Sequence, residues 1–293
     1  MQSGDFLRRL AVAAVGIPLA LWVLIRGGWL LAIFVTFLAG LAVREMNALA
    51  AARGIRVFDW MGILGTAGLV LLAGWTRTFS LWAPWAMGLL LLLFFMASAS
   101  TLWSRGPEDR PLLVSSLTVV GVLYWGGCFS FAIFLQNFPE TSGWPPVDMP
   151  YRGAVLLAFP LAVTWTADTA AYLVGSFFGS RKMMPKVSPG KTVEGGLAGL
   201  AAAFSVGCLM GWGFLKVHPD PFLAGVAGGG MGLIMGVVIQ VGDLIESLFK
   251  REARVKDSGS LLPGHGGILD RFDALIFTLP VTYGLIYLVG RIL

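Results

Sequence analysis

Apolar runs long enough to cross a bilayer recur along the whole chain, each closed by a short polar or Gly/Pro break, and this constrains the fold more than any other feature. A helix needs about 20 apolar residues to span a hydrocarbon core of about 30 Å. Within that core every backbone N–H and C=O must be bonded internally, so only helices or closed barrels cross it. The runs are continuous rather than alternating, which selects helices. Composition agrees: 57% of the 293 residues are hydrophobic and only 13% are charged, against about a quarter charged in soluble domains. The expected fold is all-α, a polytopic membrane protein in one helical bundle, and a domain count from length does not apply.

About nine spans are predicted: an opening run to Ile25, then Trp29–Val43, Phe58–Gly74, Leu81–Ala99, Leu112–Gln136, Ala154–Phe178, Leu197–Leu215, Phe222–Ile245 and Phe272–Val289. The opening run follows Arg8 and Arg9 but lacks a small-x-small cleavage pattern, so it reads as a retained span. Residues 1–293 are expected to form one integral-membrane domain. Its spans up to residue 150 have no assigned role, and residues 151–293 carry the catalytic spans and loops.

The formal net charge is +5, and its distribution carries the information. Of the 21 Lys and Arg residues, 16 fall in one set of alternating segments and 5 (Arg26, Arg77, Arg152, Lys216, Arg291) in the other. By the positive-inside rule the N-terminus is cytoplasmic, and so are the two large polar loops after spans six and eight. The expected location is a bacterial-type inner (plasma) membrane with a cytoplasm-facing site. No basic stripe with interleaved aromatics suggests nucleic acid. Cys128 and Cys208 lie in apolar runs without a CxxC partner and read as packing residues.

The longest polar run, from Gly242 to Asp273, is where chemistry is expected. Asp243, Glu246, Ser247 and Lys250 stand at i, i+3, i+4 and i+7, one face of a helix. Asp270 and Asp273 are i, i+3 at the start of the last span. Asp168 lies inside span six, where an ionised carboxylate costs about 2.5–3.5 kcal/mol on insertion scales and needs a partner or a polar cavity. Thr164, Asp168, Tyr172 and Gly175 share its face. Asp168, Asp243, Asp270 and Asp273 together suit a hard cation such as Mg²⁺, with room for a second. Between the acidic groups lies the turn with Gly264, His265, Gly266 and Gly267, flanked by Lys250, Arg251, Lys256 and Arg271; such a turn opening into a helix favours phosphate. His265 reads as a hydrogen-bonding residue or a proton carrier; His218 falls on the opposite side. The loop after span six supplies Ser188, Lys191 and Thr192 for phosphate oxygens, with Glu194 nearby. It is not a Walker A motif, because Pro185 stands where that motif requires Gly.

These residues resemble the phosphatidate cytidylyltransferase (CDP-diacylglycerol synthase) family. Its signature is matched in order and spacing by Ser247, Lys250, Arg251, Lys256, Asp257, His265, Gly266, Gly267, Asp270, Arg271 and Asp273. The segments from Asp168 to Tyr172 and from Ser188 to Gly195 are similar to the family's pattern as well. The resemblance is specific over about residues 160–280 and implies condensation of CTP with phosphatidate in the presence of Mg²⁺, giving CDP-diacylglycerol and pyrophosphate. It implies catalytic roles for Asp243, Lys250, Arg251, Lys256, Asp257, His265, Asp270, Arg271 and Asp273. Substrate contacts would come from Tyr172, Ser188, Lys191, Thr192, Glu194, Ser247, Gly264, Gly266 and Gly267. Expected partners are CTP, phosphatidate and membrane lipid, with a homodimer kept open. Two other readings stay open: an ion-coupled transporter using Asp168 and Asp243, and a CTP-dependent lipid kinase.

Overall fold

The computed structural model describes residues 3–142, 151–215, 217–259 and 266–292. In chain order they form α1 (Ser3–Arg26), α2 (Gly28–Ala52), α3 (Asp59–Thr76), α4 (Phe79–Ser104), α5 (Pro111–Val122), α6 (Cys128–Ser142), α7 (Arg152–Phe178), a hairpin of β1 (Lys182–Met184) and β2 (Ser188–Thr192), α8 (Val193–Met210), α9 (Pro221–Glu252), the short α10 (Leu269–Phe272) and α11 (Leu275–Ile292). Among the described residues, seven helical segments are long and apolar enough to cross a membrane. The protein is therefore an all-α polytopic membrane protein. The expected count of nine adds α1 (Ser3–Arg26) and the 18-residue α3, which would reach about 27 Å.

The polar loop after α7 holds a short hairpin. β1 and β2 pair antiparallel, Lys182 opposite Thr192 and Met184 opposite Ser188. Prolines lie inside α4, α6, α7 and α11 (Pro84, Pro139, Pro160, Pro280), as membrane helices tolerate.

The chain folds into two compact units, and they are not its two halves. The first comprises residues up to Phe134 together with Phe249–Phe272; the second comprises Leu135–Leu248 and Asp273–Leu293. In the first, α3 is clasped by its neighbours. Trp82 of α4 donates its indole N–H to the Leu69 carbonyl at 2.9 Å, and the Ser130 hydroxyl of α6 donates to the same carbonyl at 3.3 Å. Phe79, Trp82, Phe131 and Phe134 stack and tilt around this point with ring centroids 5.4–6.1 Å apart.

In the second unit α8 packs backbone to backbone on α9. A Cβ at Gly207 would collide with the Gly228 carbonyl, and one at Gly232 with the Ala203 carbonyl. Small residues thus set the interhelical distance, as the glycine-rich stretch predicts. Thr164 of α7 and Thr278 of α11 bond at 3.3 Å, and Gln240 of α9 donates to the Gly196 carbonyl of α8 at 3.0 Å. These bonds hold together the helices that carry the acidic residues.

Candidate functional site

The second unit gathers acidic side chains at one place. Asp243 and Glu246 lie one turn apart on α9, and Asp273 stands just before α11. One carboxylate oxygen from each lies within 4.8 Å of the others. Glu246 is only 2% exposed, and Ser247 is buried beside it, its hydroxyl 3.5 Å from Asp243 Oδ1. Asp273 accepts the Ala274 amide at 2.7 Å, which fixes its rotamer at the helix start. Lys191, on β2, forms an ion pair with Asp243. The hairpin carries that lysine. Thr192 accepts the Gly195 amide at 3.2 Å and so caps α8. The Glu194 carboxylate accepts from the Ser180 hydroxyl at 2.6 Å and from the Ser180 and Arg181 amides at 3.1–3.2 Å, closing the base of the hairpin.

Three carboxylates so placed fit a hard divalent cation. Mg²⁺ takes oxygens at about 2.1 Å, so opposite ligands of its octahedron stand about 4.2 Å apart. Two of the three, Asp243 and Asp273, are among the predicted metal residues. The third, Glu246, was read from the sequence only as part of the α9 stripe; its i+3 spacing from Asp243 was the signal that identifies it. Asp168, on α7, stands outside the 4.8 Å group but beside it, close enough for the Asp243 carboxylate and the Lys191 ammonium to act on its own charge; Thr164, one turn away, is buried, and Tyr172 is 75% exposed.

Asp270 belongs to the first unit, where its carboxylate is fully engaged. It accepts Lys250 Nζ at 2.8 Å, the Ser258 amide at 3.0 Å and the Gly267 amide at 2.9 Å. The Lys250 and Asp270 side chains are 13% and 10% exposed. Gly266 turns the chain with φ +83°, and a Cβ there would stand 2.9 Å from Asp270 Oδ2, so the turn demands glycine. The next amides, of Ile268 and Leu269, donate to the carboxylate of Glu45 on α2 at 3.0 and 2.8 Å. Of the described residues after the turn, Gly267, Ile268 and Leu269 give their amides to two protein carboxylates, whereas the sequence alone points the turn at phosphate. Arg251, Lys256, Asp257 and Arg271 are exposed. Gly264 and His265 lie outside the described residues.

The model of the cytidylyltransferase family matches residues 7–289. A Synechocystis phosphatidate cytidylyltransferase is 32% identical over 98% of both chains. Proteins of the same name from Staphylococcus aureus and Staphylococcus epidermidis are 31% and 30% identical over 93% of this chain and 96% of theirs. The match covers the N-terminal helices as well as the signature. The chain belongs to the cytidylyltransferase family.

Proposed function

We propose that the protein transfers CMP from CTP to phosphatidate, forming CDP-diacylglycerol and releasing pyrophosphate. The observation that carries this is the Asp243, Glu246 and Asp273 group with Lys191 at its edge, in a chain matched to the family from residue 7 to residue 289. A phosphate monoester oxygen of phosphatidate attacks the α-phosphorus of CTP, and the bond to the bridging oxygen between the α- and β-phosphorus breaks. That nucleophile is already largely deprotonated near neutral pH, so no strong base is required. Positioning and charge neutralisation remain to be supplied.

Mg²⁺ held by Asp243, Glu246 and Asp273 would neutralise charge developing on the transferred phosphoryl oxygens. Lys191 is placed to exchange its pairing with Asp243 for a substrate phosphate. In the first unit, Arg251, Lys256 and Arg271 are exposed cations that suit anionic phosphate groups, and the acyl chains stay in lipid. The site faces the cytoplasm, where CTP is, in a plasma-membrane-type bilayer; the 16 to 5 charge split supports that orientation.

The test is incubation of purified protein with labelled CTP, phosphatidate and Mg²⁺. The expected products are CDP-diacylglycerol and pyrophosphate, lost on chelation and restored by Mg²⁺. Release of CDP with a phosphorylated lipid would identify a kinase instead, and turnover indifferent to chelation would remove the metal from the mechanism.

A further inference from the structure

We propose that Glu45, in the N-terminal half of the chain, is a positioning residue for this transfer. It would act by holding the signature loop in the shape that orients Asp270 and Lys250. The inference rests on the reaction proposed above.

Glu45 sits on α2, within its last two turns, half-buried, and its carboxylate takes three donors from one loop more than 200 residues away in sequence. Oε2 accepts the Ser258 hydroxyl at 3.1 Å and the Leu269 amide at 2.8 Å; Oε1 accepts the Ile268 amide at 3.0 Å. Packing leaves little slack around it. A Cβ at Gly259 would stand 2.6 Å from Glu45 Oε1, and one at Gly267 would collide with both Glu45 and the Ser258 hydroxyl. Two glycines of the loop thus leave the space into which this one carboxylate reaches.

The Glu45 bonds alternate with those of Asp270. Ser258 gives its amide to Asp270 and its hydroxyl to Glu45. Gly267 gives its amide to Asp270, and the next two residues give theirs to Glu45. Glu45 thus holds the loop next to each amide that fixes the Asp270 carboxylate, which also accepts Lys250 at 2.8 Å. Releasing Glu45 frees Ile268 and Leu269, the residues that set where Asp270 begins its helix. Charge-assisted bonds of this kind are among the stronger ones in proteins, and a misplacement of about 1 Å at a reacting centre costs about a hundredfold in rate.

Glu45→Gln separates positioning from bulk stability. Glutamine keeps size and one acceptor, but its NH₂ group must face at least one N–H or O–H of the loop. The expected result is a kcat lower by between about tenfold and a hundredfold, with both KM values within about threefold and an unchanged melting temperature in detergent. Hydrogen exchange should quicken at Ile268 and Leu269 and nowhere in α3 or α4. Ser258→Ala, which removes one of the three donors and leaves the backbone bonds, should cost less than about threefold. If Glu45→Gln does not fold, Glu45→Asp keeps the charge one methylene short of the loop and should show the same kcat-selective loss. Wild-type kcat in the folded variant, or a loss that only follows the amount of folded protein, overturns the proposal. A wild-type protein that makes no CDP-diacylglycerol overturns the transfer reading and the catalytic role with it. Exchange at Ile268 and Leu269 then still decides whether Glu45 holds the loop.

Discussion

At the scale of single residues, the acidic side chains divide by what surrounds them. Asp243, Glu246 and Asp273 bring oxygens within 4.8 Å of one another, an arrangement that repels itself unless cations stand close. Lys191 supplies one such charge. Asp270 spends its oxygens on Lys250 and two amides. Glu246→Gln is therefore the discriminating variant, since it preserves volume at a buried position and removes one candidate ligand. Its kcat is expected to fall by about a hundredfold or more with the fold retained, measured as CDP-diacylglycerol formed per folded protein; near-normal turnover would exclude Glu246 from the metal group. Asp243 was legible from its spacing to Ser247 and Lys250. Glu246 was equally visible in that stripe, but the signature residues drew the assignment toward Asp270. Nothing in linear sequence tells a carboxylate that binds amides from one that faces other carboxylates.

At the scale of elements, the helices follow from apolar run length, and their contacts follow from where side chains are missing. Gly207 and Gly228 let α8 and α9 touch through backbone atoms. Gly207→Val should destabilise the protein by about 1–3 kcal/mol or more, the usual cost of overpacking, read as a lower melting temperature in detergent. Gly230→Ala, where a Cβ meets nothing within 4 Å, should leave it unchanged; equal losses in both would refute a packing role specific to Gly207. The sequence predicts close packing from the glycines of span eight, Gly225 to Gly236; the contacts of Gly228 and Gly232 bear this out, whereas Gly230 meets nothing. The sequence reading missed the hairpin of β1 and β2, whose strands are 3 and 5 residues long. Such strands are too short for a periodic pattern to register. They are held by Glu194 bonding back to Ser180 and Arg181, a contact that closes only in three dimensions.

At the scale of the whole molecule, charge placement makes a claim about orientation. The loop around Lys256 belongs to the basic set and the turn around Asp220 to the other, and both positions are exposed. Cysteines introduced as Lys256→Cys and Asp220→Cys should react with an impermeant label from opposite faces, the first only from the cytoplasm. Labelling of both from one face would reject the topology. Position 258, inside the same loop, is a poor reporter because Ser258 is buried. The chain's units also cut across its order, since Phe249–Phe272 belongs with the N-terminal helices. That places the loop carrying Ser258 and Gly267 among the early helices, where no motif announces it.

Sequence by itself determined that this chain lives in a membrane as helices, because apolar length and backbone hydrogen bonding leave no other solution. It also determined the family, through a run of charged residues and glycines that bilayer packing does not require. Only the tertiary structure decided which carboxylates share a place, which one a lysine neutralises, and that Glu45 grips the signature loop. Those outcomes depend on distances between side chains far apart in sequence, set by how close small residues let the helices come, and the linear pattern does not encode them.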